Sequence, residues 1–185
     1  MLPWTFSKKP SPRSRAASSP YSTAVESRQG GAEVVQGHVE SIHIAPAAKS
    51  PVQEVAEVHA VPGVGLEGDR YALRQGTFFK PEPDFELTLI EAEAVEAARA
   101  EHGLDLVPGD LRRNLVTRGV SLNPLVGREF QIGTVRVRGI RLCEPCSHLQ
   151  ALTGQPVIRA LPHRAGLRAQ ILTEGPIRRG DVVLF

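Results

Sequence analysis

From Val34 onward apolar residues come in short runs divided by glycine and proline, the texture of many short strands rather than of helices in series. The expected strands are Val34 to Ile44, Val55 to Val61, Phe85 to Ile90, Asn114 to Val116, Val135 to Leu142, Leu167 to Leu172 and Val182 to Leu184. Between Glu91 and Glu101 the pattern gives way to a run of Ala and Glu halted by Gly103, which predicts a helix. A shorter helix is expected over Pro156 to Leu161. Thr88-Leu89-Ile90-Glu91 has the letters of a capping box, yet Phe85, Leu87 and Leu89 alternate with Glu86 and Thr88, so a strand is expected first and the helix after it. No internal repeat is visible. The expected class is mainly β with a few helices, a β-rich α+β barrel or sandwich.

Composition divides the chain once. Residues 1–33 are basic and rich in Ser and Pro, as in Lys8-Lys9-Pro10-Ser11-Pro12-Arg13-Ser14-Arg15, and hold no acid before Glu26. Such a segment cannot bury a core and is expected to be a disordered extension. Organelle targeting is a minor alternative, because Pro3, Pro10, Pro12 and Pro20 break the amphipathic helix a transit peptide uses. The remainder, 34–185, is long enough for one domain and too short for two ordinary ones. Lys and Arg number 22 against 20 Asp and Glu, so the balance points to neither nucleic acid nor a membrane surface as partner. Two cysteines three positions apart cannot staple a fold, and no apolar run approaches the roughly 18 residues of a membrane span. A reducing, cytoplasmic setting is expected.

Three segments bear on chemistry. Gly63-Val64-Gly65-Leu66-Glu67-Gly68 matches the dinucleotide-binding pattern, which needs a helix to start at the last glycine so that its amides face a pyrophosphate. Here Asp69-Arg70-Tyr71 leads instead to Gly76, Pro81 and Pro83, so a tight glycine turn is expected, with Asp69 and Arg70 on a loop able to edge a ligand site.

Cys143-Glu144-Pro145-Cys146 has the spacing of a redox dithiol, half a zinc site or part of a haem attachment. Ser147 stands where the haem motif needs histidine. His148 and His163 do not complete a second zinc pair, and short strands do not supply the βαβ surround of a thioredoxin. Pro145 does fix the backbone before Cys146, at the end of a strand able to present a soft thiolate to a metal or to persulfide chemistry. Two inert core cysteines are an equal alternative. In Leu111-Arg112-Arg113-Asn114-Leu115, two guanidinium forks and an amide suit an anion and a heterocycle, while a solvated strand edge is the plainer reading.

Taken in order, Val61-Pro62-Gly63-Val64-Gly65-Leu66-Glu67-Gly68-Asp69-Arg70-Tyr71, Pro108-Gly109-Asp110-Leu111-Arg112-Arg113-Asn114-Leu115-Val116-Thr117-Arg118-Gly119-Val120, Leu125-Val126-Gly127, Ile132-Gly133, Cys143-Glu144-Pro145-Cys146, Gly166-Leu167-Arg168-Ala169 and Gly180-Asp181 resemble a MOSC domain, the module named for the C-terminal part of molybdenum cofactor sulfurase. The resemblance spans roughly Val34 to Phe185. It implies a MOSC-like β-barrel that holds the molybdenum cofactor (Mo-molybdopterin), a pterin dithiolene with a terminal phosphate. Cys146 would be the thiolate on molybdenum, and Arg112 and Asn114 would hold phosphate and pterin. Arg113, Arg70 and Asp69 are weaker cofactor-binding candidates, and Cys143 is expected to be packing.

The activity implied by the resemblance is reduction of small N-hydroxylated compounds. No counterpart of the N-terminal barrel of the mitochondrial amidoxime reductases is expected, and two cysteines cannot ligate a four-cysteine iron–sulfur cluster, so a separate electron-donor protein is expected. Near Ile90 and Glu91, where some relatives place a hydroxyl by the cofactor, this chain has none. Pyridoxal phosphate binding is also commonly associated with the family. Lys8, Lys9, Lys49 and Lys80 fall in loops or the tail, so no pyridoxal site is expected. The rival readings are a carrier of persulfide sulfur or of the cofactor, and a metal-free binding barrel.

Overall fold

A computed structural model describes residues 36–185, so the extension expected over 1–33 lies outside the described residues. The strands are β1 (Gln36–Ile44), β2 (Gln53–Val55), β3 (Glu57–Val61), β4 (Gly65–Leu66), β5 (Leu87–Glu91), β6 (Leu115–Arg118), β7 (Glu129–Ile132), β8 (Val135–Leu142), β9 (Leu167–Ile171), β10 (Gly175–Arg178) and β11 (Val182–Leu184). The helices are α1 (Ala92–His102), α2 (Ser147–Thr153) and α3 (Val157–Ala160). Seven strands close into a barrel in the order β11-β7-β8-β9-β5-β6-β1, with β1 returning to β11 and β2 attached beyond β1. Closure removes the free edges that an open sheet must protect. A separate small sheet runs β10-β3-β4.

Strand β1 reaches three partners because its register shifts between Val39 and Ser41. Before that bulge Gln36–His38 pair with β11, and after it Ile42–Ile44 pair with β2. An extra residue of this kind bends a strand, and a bent strand can serve both ends of a barrel. The β5–β6 pair is parallel and is joined through α1, as a parallel connection requires. Helix α1 stops where expected, at Gly103, whose φ of 63° a glycine adopts without cost. No helix among the described residues is long and apolar enough to cross a membrane.

Two cores result. Val39, Leu87, Leu89, Leu115, Val137 and Leu167 fill the barrel. Ile90, Val116, Leu111, Val95, Leu149 and Leu161 pack between the barrel's outer wall and the helices. Neighbouring residues of β5 and β6 therefore serve opposite faces, as a pleat dictates: Leu89 and Leu115 inward, Ile90 and Val116 outward.

Strands β8 and β11 have their expected bounds, and β1, β5, β6 and β9 lie within a few residues of them. The segment expected as one strand over Val55 to Val61 is two, broken at Ala56, because Gln53–Val55 pairs with β1 while Glu57–Val61 pairs with β10 in the other sheet. Phe85 belongs not to β5 but to a 3-10 turn over Pro83–Phe85. Strands β4, β7 and β10 were not expected. The apolar content of β7 is only Phe130 and Ile132, and β10 contains Pro176. Helix α2 escaped as well, having one buried residue, Leu149.

A candidate cofactor cleft

The glycine motif is a hairpin, not a phosphate loop. Pro62 and Gly63 form the turn between β3 and β4, closed by the Val64 amide donating to the Val61 carbonyl at 3.1 Å, with Gly63 at φ 73°. No helix starts at Gly68; the chain runs through turns to Arg74. What the hairpin delivers is Asp69. Its buried carboxylate accepts the amides of Ala45 (3.2 Å) and Tyr71 (3.1 Å) and Nη1 of Arg70 (3.1 Å). Arg70 is held in place by that carboxylate, by the Arg112 carbonyl (3.2 Å from Nη2) and by the Tyr71 ring beneath it.

Arg112, Arg113 and Asn114 diverge in role. Arg112 takes a left-handed backbone (φ 54°) after the turn Pro108–Leu111 and donates to the carbonyls of Ser50 and Ala48, each at 3.0 Å. Burial, and then the neighbouring Arg70 charge, hold its guanidinium below the ordinary arginine value. Arg113 is 8 % exposed and spends its donors on three carbonyls: Ala165 (2.8 Å), Leu111 (3.1 Å) and Cys143 (3.2 Å). Asn114 is 4 % exposed. Its Oδ1 accepts from the amide (3.1 Å) and hydroxyl (2.8 Å) of Thr88, and its Nδ2 donates to the His43 carbonyl at 3.3 Å. Asn114 therefore ties β1, β5 and β6 together. Asn114→Ala is expected to cost about 2–3 kcal/mol, read by urea denaturation, because it leaves buried groups on two strands unpaired.

The cysteine segment follows β8 as expected. Cys143 is buried, and its amide donates to the Gly166 carbonyl at 2.7 Å. Gly166 sits at φ 112°, and a Cβ there would fall 2.0 Å from the Leu89 carbonyl oxygen, so the close approach admits only glycine. Glu144 is strapped to His163, accepting its amide (3.0 Å) and pairing with its Nδ1 (2.8 Å). Burial pushes the Glu144 carboxyl up, but those two contacts outweigh it and leave the group below its ordinary value. Cys146 is exposed and extended (φ −137°, ψ 167°), and α2 begins at the next residue.

These pieces meet in a cleft of about 90 Å³ lined by Arg70, Arg112, Arg113, Arg168, Cys143 and Cys146. Of the residues expected from sequence, the arginines and Cys146 are thus brought together, whereas Asp69 and Asn114 are buried one position behind a lining arginine. Arg168, His148 and Phe78 also line the cleft and were not among the cofactor-binding candidates. Arg168 was legible, since Leu167 and Ala169 point into the barrel and the residue between them must face out. Its Nη1 donates to the Asp84 carbonyl (3.2 Å), its guanidinium lies over the Phe85 ring, and its Nε is the one buried side-chain nitrogen or oxygen without a partner among the described residues. Phe78 meets the His148 ring edge-on at 5.2 Å across the cleft. Among the lining guanidinium groups only that of Arg70 is paired with a carboxylate, the buried Asp69, so the donor set suits an anion with an end that a soft thiolate can hold. The phosphate and the metal of the molybdenum cofactor suit that donor set.

The fold has solved counterparts. The chain is similar to the YuaD protein of Bacillus subtilis at 16 % identity and a TM-score of 0.69, over 82 % of this chain and 96 % of that one. It is also similar to YiiM of Geobacillus stearothermophilus (17 % identity, TM-score 0.60, 80 % and 75 % covered) and to YiiM of Escherichia coli (17 %, 0.58, 80 % and 69 %). Among curated proteins no sequence matches. The MOSC domain profile matches residues 58–184, from β3 through β11, and so takes in the hairpin, the arginines and the cysteine segment: the chain belongs to the MOSC domain family.

Proposed function

We propose that the chain binds the molybdenum cofactor in the arginine-lined cleft, with the Cys146 thiolate on the metal, and reduces small N-hydroxylated compounds. The observation that carries this reading is the exposed Cys146 opening onto the same cleft as Arg70, Arg112 and Arg168. Among the described residues no three His, Cys, Asp or Glu side chains converge to hold a metal ion. A metal that arrives with a dithiolene needs only one thiolate from the protein, and of the two cysteines at the cleft only Cys146 is exposed. Arg70, Arg112 and Arg168 meet the phosphate; Asp69, Arg113 and Asn114 fix the backbone that carries them.

When bound, the cofactor supplies two-electron oxygen-transfer chemistry. The overall step is balanced when R–NH–OH takes two electrons and two protons and leaves as R–NH₂ and water, with N–O cleaved and the electrons coming from a separate donor protein. The test is expression of the full chain in a host that makes the cofactor and in one that does not. Protein from the first host is expected to contain molybdenum and a pterin that fluoresces on oxidation, and to reduce benzamidoxime with reduced viologen. Absence of both signals would sink the reading. Bound cofactor with no turnover, but with release to an acceptor apoenzyme, would make the chain a carrier.

A further inference from the structure

The cleft is open at the Cys146 thiol but small within: its volume of about 90 Å³ falls well below the roughly 300–1,000 Å³ of sites for small organic molecules. A ligand with a ring system and a phosphate needs more room. A chamber of about 310 Å³ lies beside it, and Tyr71 lines both. Residues 77–81 stand between the two. Thr77 and Phe78 line the cleft, whereas Phe79, Lys80 and Pro81 line the chamber.

That wall is weakly held. None of residues 73–83 is buried. Among the described residues the wall makes one hydrogen bond, from the Phe79 amide to the Gly76 carbonyl at 3.1 Å, which closes a local turn and ties it to no other element. Its two ends, by contrast, are fixed. The Gln75 amide donates to the Arg70 carbonyl at 2.7 Å, and Gly76 lies so close to the Tyr71 ring that a Cβ on it would stand 2.8 Å away. At the other end the turn Pro83–Phe85 carries the buried Asp84, whose carboxylate accepts Arg141 Nε at 2.7 Å and whose carbonyl accepts Arg168 Nη1 at 3.2 Å. The ring contact that holds the wall across the cleft is Phe78 against His148 of α2, and Phe78 leaves 49 % of its surface to solvent. Segments with few buried groups and no ladder of hydrogen bonds open at a cost far below that of global unfolding.

We infer that residues 77–81 are a flap, hinged between Gly76 and Pro83 and latched by Phe78 on His148, whose opening joins the cleft to the chamber and admits an organic ligand too large for the cleft alone. For the identity of that ligand the inference rests on the cofactor reading above, but the opening itself does not need the cofactor. With the chamber filled, Phe79 and Lys80 rest on the ligand and the flap closes over it.

The test is native-state cutting by chymotrypsin after Phe79, followed by mass spectrometry on the full chain from both hosts. In cofactor-free protein the rate of this cut is expected to stay nearly constant in urea below the unfolding transition, the mark of a local opening. An edge-on ring pair is worth about a two- to tenfold shift between closed and open, so Phe78→Ala and His148→Ala should each speed the cut by about that factor, and the double variant should go no further. Protein loaded with molybdenum and pterin should be cut about tenfold or more slowly than cofactor-free protein. A cut that accelerates with urea as steeply as global unfolding does, or that keeps the wild-type rate in both single variants, would overturn the flap. Equal cutting of loaded and cofactor-free protein would do the same. A local, latch-dependent cut in protein that takes up no molybdenum from either host would keep the flap and sink the cofactor reading.

Discussion

Cys146→Ala is expected to leave the fold untouched and to remove molybdenum together with the reduction of N-hydroxylated substrates. The thiol is exposed and makes no hydrogen bond among the described residues, so thermal unfolding of the variant should stay close to that of wild type. The metal contact has no substitute nearby: the second thiol, Cys143, is 3 % exposed and its backbone is committed to Gly166 and Arg113. Turnover should therefore fall by roughly a hundredfold or more, at or beyond the upper end of what changes around a metal's ligands produce. Cys143→Ala is the matched control, with the opposite signature of about 1 kcal/mol of lost stability and retained metal. Molybdenum by mass spectrometry and melting temperature on the same preparations separate the two. Wild-type metal content in Cys146→Ala would show that the thiolate is not the ligand.

The contrast between the two cysteines was only partly legible in the sequence. That the cysteine segment follows a strand was legible from the run Val135 to Leu142, but it is Cys143 that stands next to the strand, while Cys146 lies four residues beyond it and directly precedes α2. That Cys143 is buried followed only from tertiary contacts, because its partners Gly166 and Arg113 are far away in the chain. The arginines show the same limit. Side chain type gave Arg112, Arg113 and Asn114 as donors, but where their donors go depends on carbonyls at positions 48, 50, 165 and 43, which no local pattern reports. Barrel membership was similarly legible for strands with strong alternation and opaque for β2 and β3, since one continuous apolar stretch was divided between two sheets.

Arg113 is where this distinction has the largest energetic consequence. Its guanidinium joins the turn ending at Leu111, the strand end at Cys143 and the loop at Ala165, so one side chain latches the three segments around the cleft. Removing it strands three buried carbonyls at about 1 kcal/mol or more each, and Arg113→Met is expected to lose about 3–5 kcal/mol. For a chain of this length that corresponds to a melting temperature lower by roughly 6–20 °C. Arg113→Lys keeps the charge but not the planar fork, and a single ammonium cannot reach all three oxygens, so it should recover less than half of the loss. A latch and a cofactor contact leave different traces. Arg113→Met should melt early in protein from both hosts, with or without molybdenum, because the carbonyls it satisfies belong to the chain itself. Were the variant as stable as wild type in cofactor-free protein, and deficient only in molybdenum, Arg113 would be a cofactor contact and the cysteine loop would owe its position to Gly166 and the Glu144–His163 strap alone.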